Sequence, residues 1–205
     1  MKYMRNYIIL MIMMAIPYFI VITDNVVFQN SVRKLSLTSI SHGIFLIIDI
    51  ILLLIIRKRE PDLKSGLTLI IGLFVAMLIR ENRALIRFSF NGQIEWSVID
   101  IVVSLLFIYM AIKKGVRKAF RNLGDMHKFH GYNYVICGLI LVLIWSRLIG
   151  NGFMWRLLAA EHYTEAIKNS VEEPTQSLGY LIIMFGLFII MTAEKNLYQN
   201  MITPR

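Results

Sequence analysis

Long apolar runs broken by short charged clusters dominate the chain. Tyr7–Thr23 carries no charge, and Ser39–Ile56 carries one, Asp49. Further apolar runs cover Gly66–Ile79, Trp96–Ile112, Tyr134–Ile149 and Pro174–Ala193. A bilayer core of about 30 Å takes roughly 20 helical residues, within a range of about 17 to 25. The pattern therefore predicts one all-α domain over residues 1–205, a polytopic transmembrane helix bundle of six spans. Those spans are about 7–23, 39–56, 66–83, 96–112, 134–150 and 174–193. Pro17 predicts a kink in the first, which neighbouring helices can accommodate.

Two of the runs are too short, and this puts charge deep. Gly66–Ile79 makes about 21 Å of helix at ~1.5 Å per residue, less than a bilayer core. To cross, it must continue through Arg80, Glu81, Asn82 and Arg83. On one helix, Arg80, Arg83 and Arg87 then share a sector of about 60°, and Glu81 points about 100° away from Arg80. Arg147 lies near the outer end of the fifth run. The sixth opens with Glu172 and Glu173 before Pro174, a residue favoured at the first helical position, and carboxylates there complement the helix dipole. Arg80, Glu81, Arg83, Arg147, Glu172 and Glu173 are thus expected at similar depth on the outer side. Intramembrane charges face inward and pair, which predicts Arg–Glu salt bridges. The three arginines are also candidates to bind an anionic group such as a lipid phosphate.

A second polar feature lies within the second run. Asp49 is near its centre, and His42 is seven residues earlier, on the same face and about 10 Å nearer the outside. Asp100 is a shallower carboxylate in the fourth run. His42, Asp49 and Asp100 fit either a proton path or interhelical glue, the latter with Asp49 bonded to Ser104 or Tyr109. Between the fifth and sixth runs, Trp155, Leu158, Ala159, Tyr163, Ala166 and Ile167 share one helical face. Phe153–Lys168 therefore reads as an amphipathic helix in the outer interface.

Composition agrees with a membrane protein. Hydrophobic residues make up 57% of the 205 and charged residues 17%, against about a quarter charged in a soluble domain. The single cysteine, Cys137, cannot form an internal disulfide and reads as a small buried hydrophobe. Lys2–Arg5 followed by an apolar run reads as an uncleaved first span rather than a signal peptide.

The net charge of +9 has a topological explanation. Fourteen basic residues fall on the side of both termini and eight on the other. The positive-inside rule then places both termini in the cytoplasm, N-in and C-in. Arg57, Lys58, Arg59 and Lys64 form one basic loop, and Lys113, Lys114, Arg117, Lys118, Arg121 and Lys128 the other. Membrane lipids are expected partners of such loops, and nucleic acid is not.

No Walker loop, nucleophile elbow, zinc-protease motif or dinucleotide fingerprint is present. No cofactor and no metal is expected. His127 and His130, three apart in the basic loop, lack a third ligand, and His162, with Glu161 and Glu165 nearby, is a slightly better metal candidate.

Arg80-Glu81 ending the third run, Arg147 near the end of the fifth, and Glu172-Glu173 with Gly179-Tyr180 in the last resemble a pattern in uncharacterised multi-pass bacterial inner-membrane proteins. Arg83 stands where that pattern often has an acidic residue. The resemblance implies membrane location and fold, and no activity. Two functions are compatible with the sequence. One is a non-enzymatic accessory, regulatory or immunity-type protein that binds a partner in the membrane. The other is a small enzyme or carrier for an anionic lipid-like or quinone-like substrate at the outer face. There, Arg80, Arg83 and Arg147 would bind the anion, with Glu81, Glu172, Glu173, Asp49 and His42 as the candidate catalytic groups.

Overall fold

The computed structural model describes residues 2–26, 36–89, 95–113 and 115–202. Among these the chain is helical throughout, with no strand. Five helical stretches are long and apolar enough to cross a membrane: Tyr7–Asp24, Leu37–Arg59, Pro61–Glu81, Tyr132–Ile149 and Glu165–Thr192. A sixth is reached only if Trp96–Ile112 and Val116–Lys128, bent by 90° from one another, are counted together as one span. Lys114, one of the basic loop residues, lies outside the described residues.

The chain divides into two compact units, residues 1–45 with 134–185, and 46–133 with 186–205. The first holds α1 (Lys2–Val26), the start of α2 (Leu37–Arg59), most of α7 (Tyr132–Ile140), α8 (Ser146–Ile149), α9 (Gly152–Ala159) and the first part of α10 (Glu165–Ile202). The second holds the rest of α2, then α3 (Lys64–Glu81), α4 (Arg83–Ser89), α5 (Trp96–Ile112), α6 (Val116–Asp125) and the end of α10.

In the first unit α1 and α2 are joined by a carboxylate. Asp24 accepts from the backbone N–H of Leu37 at 2.9 Å and of Thr38 at 2.8 Å, and from the Thr38 hydroxyl at 2.6 Å. Ser36 adds the ordinary N-cap contact to Ser39 N at 3.1 Å. The opening N–H groups of α2 have no partner within their own helix, so Asp24 holds one helix by completing the other. Asp24→Ala removes all three bonds. It is expected to lower stability by about 1–2 kcal/mol, as loss of a strong cap does, read as a fall in the thermal midpoint in detergent.

The α7–α10 crossing is built on glycine. A Cβ on Gly138 would lie 2.6 Å from the carbonyl oxygen of Gly179 and 2.6 Å from Ile183 Cγ1. Small residues let backbones approach where lipid supplies no hydrophobic drive to pack helices. Between α7 and α8 the chain makes a π-helical turn, Leu141–Trp145.

In the second unit Leu53, Ile56, Leu67, Ile71, Phe74 and Met77 are buried. The basic last turn of α2, Arg57–Arg59, complements its dipole, and Pro61 marks its end. Gly72 of α3 lies under Phe107 of α5, whose Cβ would be 2.5 Å from any Cβ added there. Gly66 does the same for α6, with Leu123 N at 2.9 Å, and Asn122 Nδ2 donates to the Asp62 carbonyl at 2.8 Å.

Three expectations change. The helix carrying Pro174 begins at Glu165, so Pro174 is inside α10 rather than at its start. The amphipathic segment stops at Ala159, where Ala160 takes a φ of +44°. Within it Trp155 hydrogen-bonds the Ile149 carbonyl at 2.5 Å. Finally, α3 ends at Glu81, and a turn at Asn82 separates it from α4. Arg80 and Arg83 are therefore on different helices, and no single helical sector carries Arg80, Arg83 and Arg87.

Candidate functional site

The polar groups of the first unit collect on the opening turns of α10. Lys168, Glu172 and Gln176 recur every four residues and so stack on one helical face. Glu172 is the centre. Its Oε1 accepts from Arg147 Nη1 at 3.0 Å and from Gln176 Nε2 at 3.0 Å, and Lys168 Nζ lies 3.9 Å from Oε2. Arg147 follows the π turn, a wide turn that rotates every later residue of the helix. There the buried Ser146 donates to the Val142 carbonyl at 2.6 Å. Gly150 leaves open the space that the Glu172 carboxyl occupies.

Glu172 is 13% exposed and Arg147 43%. A pair this close to solvent contributes modestly. Glu172→Gln sets Arg147 and Lys168 against each other without their counterion. It is expected to cost about 1 kcal/mol, and Lys168→Gln less than half of that. Thermal unfolding at low salt checks the order.

His42 lies deeper. Its Nε2 is 2.6 Å from Ser177 Oγ and 3.2 Å from the Glu173 carbonyl oxygen. Its ring meets Tyr180 edge-on, with centroids 5.3 Å apart. The carbonyl only accepts, so that contact requires a proton on Nε2. The Ser177 hydroxyl is then the acceptor from His42. With Nε2 carrying the proton, His42 cannot accept one from Ser177, so the pair is not a base and its nucleophile. Ser177 is fully buried, and the arrangement suits polar glue between α2 and α10.

In the second unit Arg80 pairs with its neighbour Glu81, Nη2 to Oε1 at 3.6 Å. Glu81 thus lies within ion-pair reach of Arg80 rather than turning wholly to another helix. Asn82 Nδ2 donates to the Leu78 carbonyl at 2.9 Å. Arg83 is exposed, and Arg87 takes Glu95 at 3.2 Å. Of the expected Arg–Glu salt bridges Arg147–Glu172 forms, while Arg80 lies against its chain neighbour Glu81, a pair the helical wheel did not predict.

Asp49 is fully buried. Both of its carboxyl oxygens lack a hydrogen-bond partner among the described residues, so neither Ser104 nor Tyr109 bonds it. Oδ1 of Asp100 is in the same condition.

Among the described residues no cluster of three or more His, Cys, Asp or Glu side chains has metal-binding geometry. His127 hydrogen-bonds the Gly124 carbonyl through Nδ1. Cys137 is exposed rather than buried. With Pro174 as the first residue of the helix, Lys168 falls outside it and the Lys168–Glu172–Gln176 face is not legible; Ser177 carries no local signal. With the helix begun at Glu165, the four-residue spacing of Lys168, Glu172 and Gln176 is visible.

The chain is an all-helical protein with five or six helices able to cross a membrane. No family model matches it, and neither a curated protein nor a solved structure does.

Proposed function

We propose that this chain is a bacterial inner-membrane protein of six spans, with both termini cytoplasmic, that acts by binding a partner protein within the bilayer. The bareness of α1 carries this reading. In Tyr7–Asp24 only 11% of positions are buried. Tyr7, Met11, Ile12, Met14, Tyr18, Phe19 and Ile22 are all exposed. Tyr18 and Phe19 stack edge to face, centroids 5.7 Å apart, forming one bulky aromatic knob. Leu10, Met13, Pro17, Ile20 and Asp24 form a buried to half-buried stripe along α1, and the broad apolar face away from that stripe is offered to another helix.

An ion pair supports the same reading. Arg147 is hydrogen-bonded to Glu172 at 3.0 Å, so an anionic ligand at Arg147 would have to displace that carboxylate. For topology, we take α5 alone as the sixth span, since its 17 residues meet the lower limit of about 17 for a crossing helix. The bias of basic residues supports cytoplasmic termini, and the resemblance to multi-pass inner-membrane proteins supports the location.

The test replaces residues 7–22 by a Leu/Ala span of equal length, keeping Pro17 and Asp24, and extracts the tagged protein in native lipid particles. The expected result is a stoichiometric partner with the natural span and none with the replacement, at equal yield of folded protein. A partner retained on the Leu/Ala span contradicts the proposal. The carrier or enzyme reading draws on one observation, the unbonded carboxyl of Asp49. It predicts that Asp49→Asn abolishes function, whereas partner binding through α1 tolerates that change.

A further inference from the structure

We infer that α6 is a membrane-surface helix that binds anionic phospholipid headgroups. Three observations on the second unit combine to give this. The first is direction. Val116–Lys128 leaves α5 at 90°, so where α5 crosses the bilayer, α6 lies along its surface.

The second is anchoring. One face of α6 is fixed inward: Ala119, Asn122 and Met126 are buried. Gly66 of α3 meets the α6 backbone at Asn122 and Leu123 with no room for a Cβ. The helix is therefore held at the entrance of α3 rather than free to reorient.

The third is what the other faces show. Arg117, Lys118, Arg121 and Lys128 are exposed. At ~100° per residue, Arg117 and Arg121 point opposite to the buried face. Beside them Val116 and Phe120, one turn apart, are 52% and 65% exposed. An apolar edge beside a basic face is the pattern of a helix seated at the headgroup level. Phe120 is in position to enter the acyl boundary while the guanidinium groups meet phosphates, which Arg grips bidentately.

One carboxylate lies on this stretch, and it is already engaged. Lys128 Nζ is 2.7 Å from Asp125 Oδ1. That hydrogen bond holds the Asp125 carboxyl below the usual carboxylate range, so at neutral pH it stays ionised against Lys128. Arg121 shares Asp125 with Lys128 at longer range, and Arg117 and Lys118 form no ion pair among the described residues. An anionic leaflet supplies the missing charge, and each basic residue near such a surface is worth about a fivefold preference.

The test is native mass spectrometry of the full chain in mixed micelles of phosphatidylglycerol and phosphatidylcholine at equal concentration. The expected result is a preference of at least about tenfold for phosphatidylglycerol. It should fall severalfold in R117Q/R121Q, with Lys118 left to supply the remainder, and persist in R117K/R121K. These side chains are exposed, so the fold should survive; equal thermal midpoints check that. No preference in the natural chain overturns the inference, as does a preference that is unchanged in R117Q/R121Q. A photo-crosslinking residue at position 120, in cells, supplies the second arm. Lipid adducts support the inference. Adducts to an acidic protein or to nucleic acid, without lipid, overturn it.

Discussion

Gly138→Leu is expected to abolish the folded protein. A Cβ at this position already meets the Gly179 carbonyl oxygen at 2.6 Å. That atom is backbone inside a helix and cannot rotate away. Leucine must therefore push α7 and α10 apart, and the Tyr134–Phe185 ring contact, 5.2 Å between centroids, lies on the same pair of helices. Overpacking a well-fitted contact costs typically about 1–3 kcal/mol and occasionally more. A clash with backbone belongs at the upper end. Size-exclusion profiles should show aggregate in place of a single peak. Gly138→Ala should give an intermediate thermal midpoint, and a wild-type profile for Gly138→Leu would show that the helices do not cross here.

Asp49→Leu is expected to move stability the other way. Leucine has the branched outline of aspartate without its polar atoms. Removing a buried group with no hydrogen-bond partner recovers about 1–3 kcal/mol, so the thermal midpoint in detergent should rise by several degrees. Asp49→Asn should gain less, because an amide in the same place is still a buried polar group. A fall for Asp49→Leu would mean that the carboxyl is bonded in the membrane-embedded protein. A rise accompanied by loss of function would mark Asp49 as a site retained at a cost in stability.

Much of the fold was legible because a bilayer enforces it. Runs of about 20 apolar residues must be helices, since no other segment satisfies its backbone there. The second predicted span accordingly falls inside Leu37–Arg59, and the fifth, 134–150, ends one residue past Tyr132–Ile149. Helix interruptions were harder to see. Pro174 fits the first position of a helix, yet in α10 it sits nine residues in. Its missing N–H was a poor guide to where the helix starts. The π turn at Leu141–Trp145 lies in a wholly apolar stretch, where hydrophobic periodicity carries no register information.

Among the candidate site residues, the Arg147–Glu172 pair followed from depth alone. The contact of His42 with Ser177 did not, because it needs the azimuth of α2 against α10. Asp24 was missed for a simpler reason. It bonds backbone N–H groups 13 and 14 residues away, and no local motif announces such a cap. The glycine seam was available and unread: Gly131 and Gly138 are seven apart, as are Gly179 and Gly186.

The most direct measurement is a photo-crosslinking scan in living cells, one position at a time from Tyr7 to Ile22. If α1 binds a partner helix, adducts to one protein should rise and fall with a period of ~3.6 residues and should be strong near Tyr18 and Phe19. Parallel positions on the exposed face of α5, Val102 and Leu105, should give lipid adducts only. Lipid adducts alone from every position of α1, or a protein adduct equally strong from α5, would contradict the account.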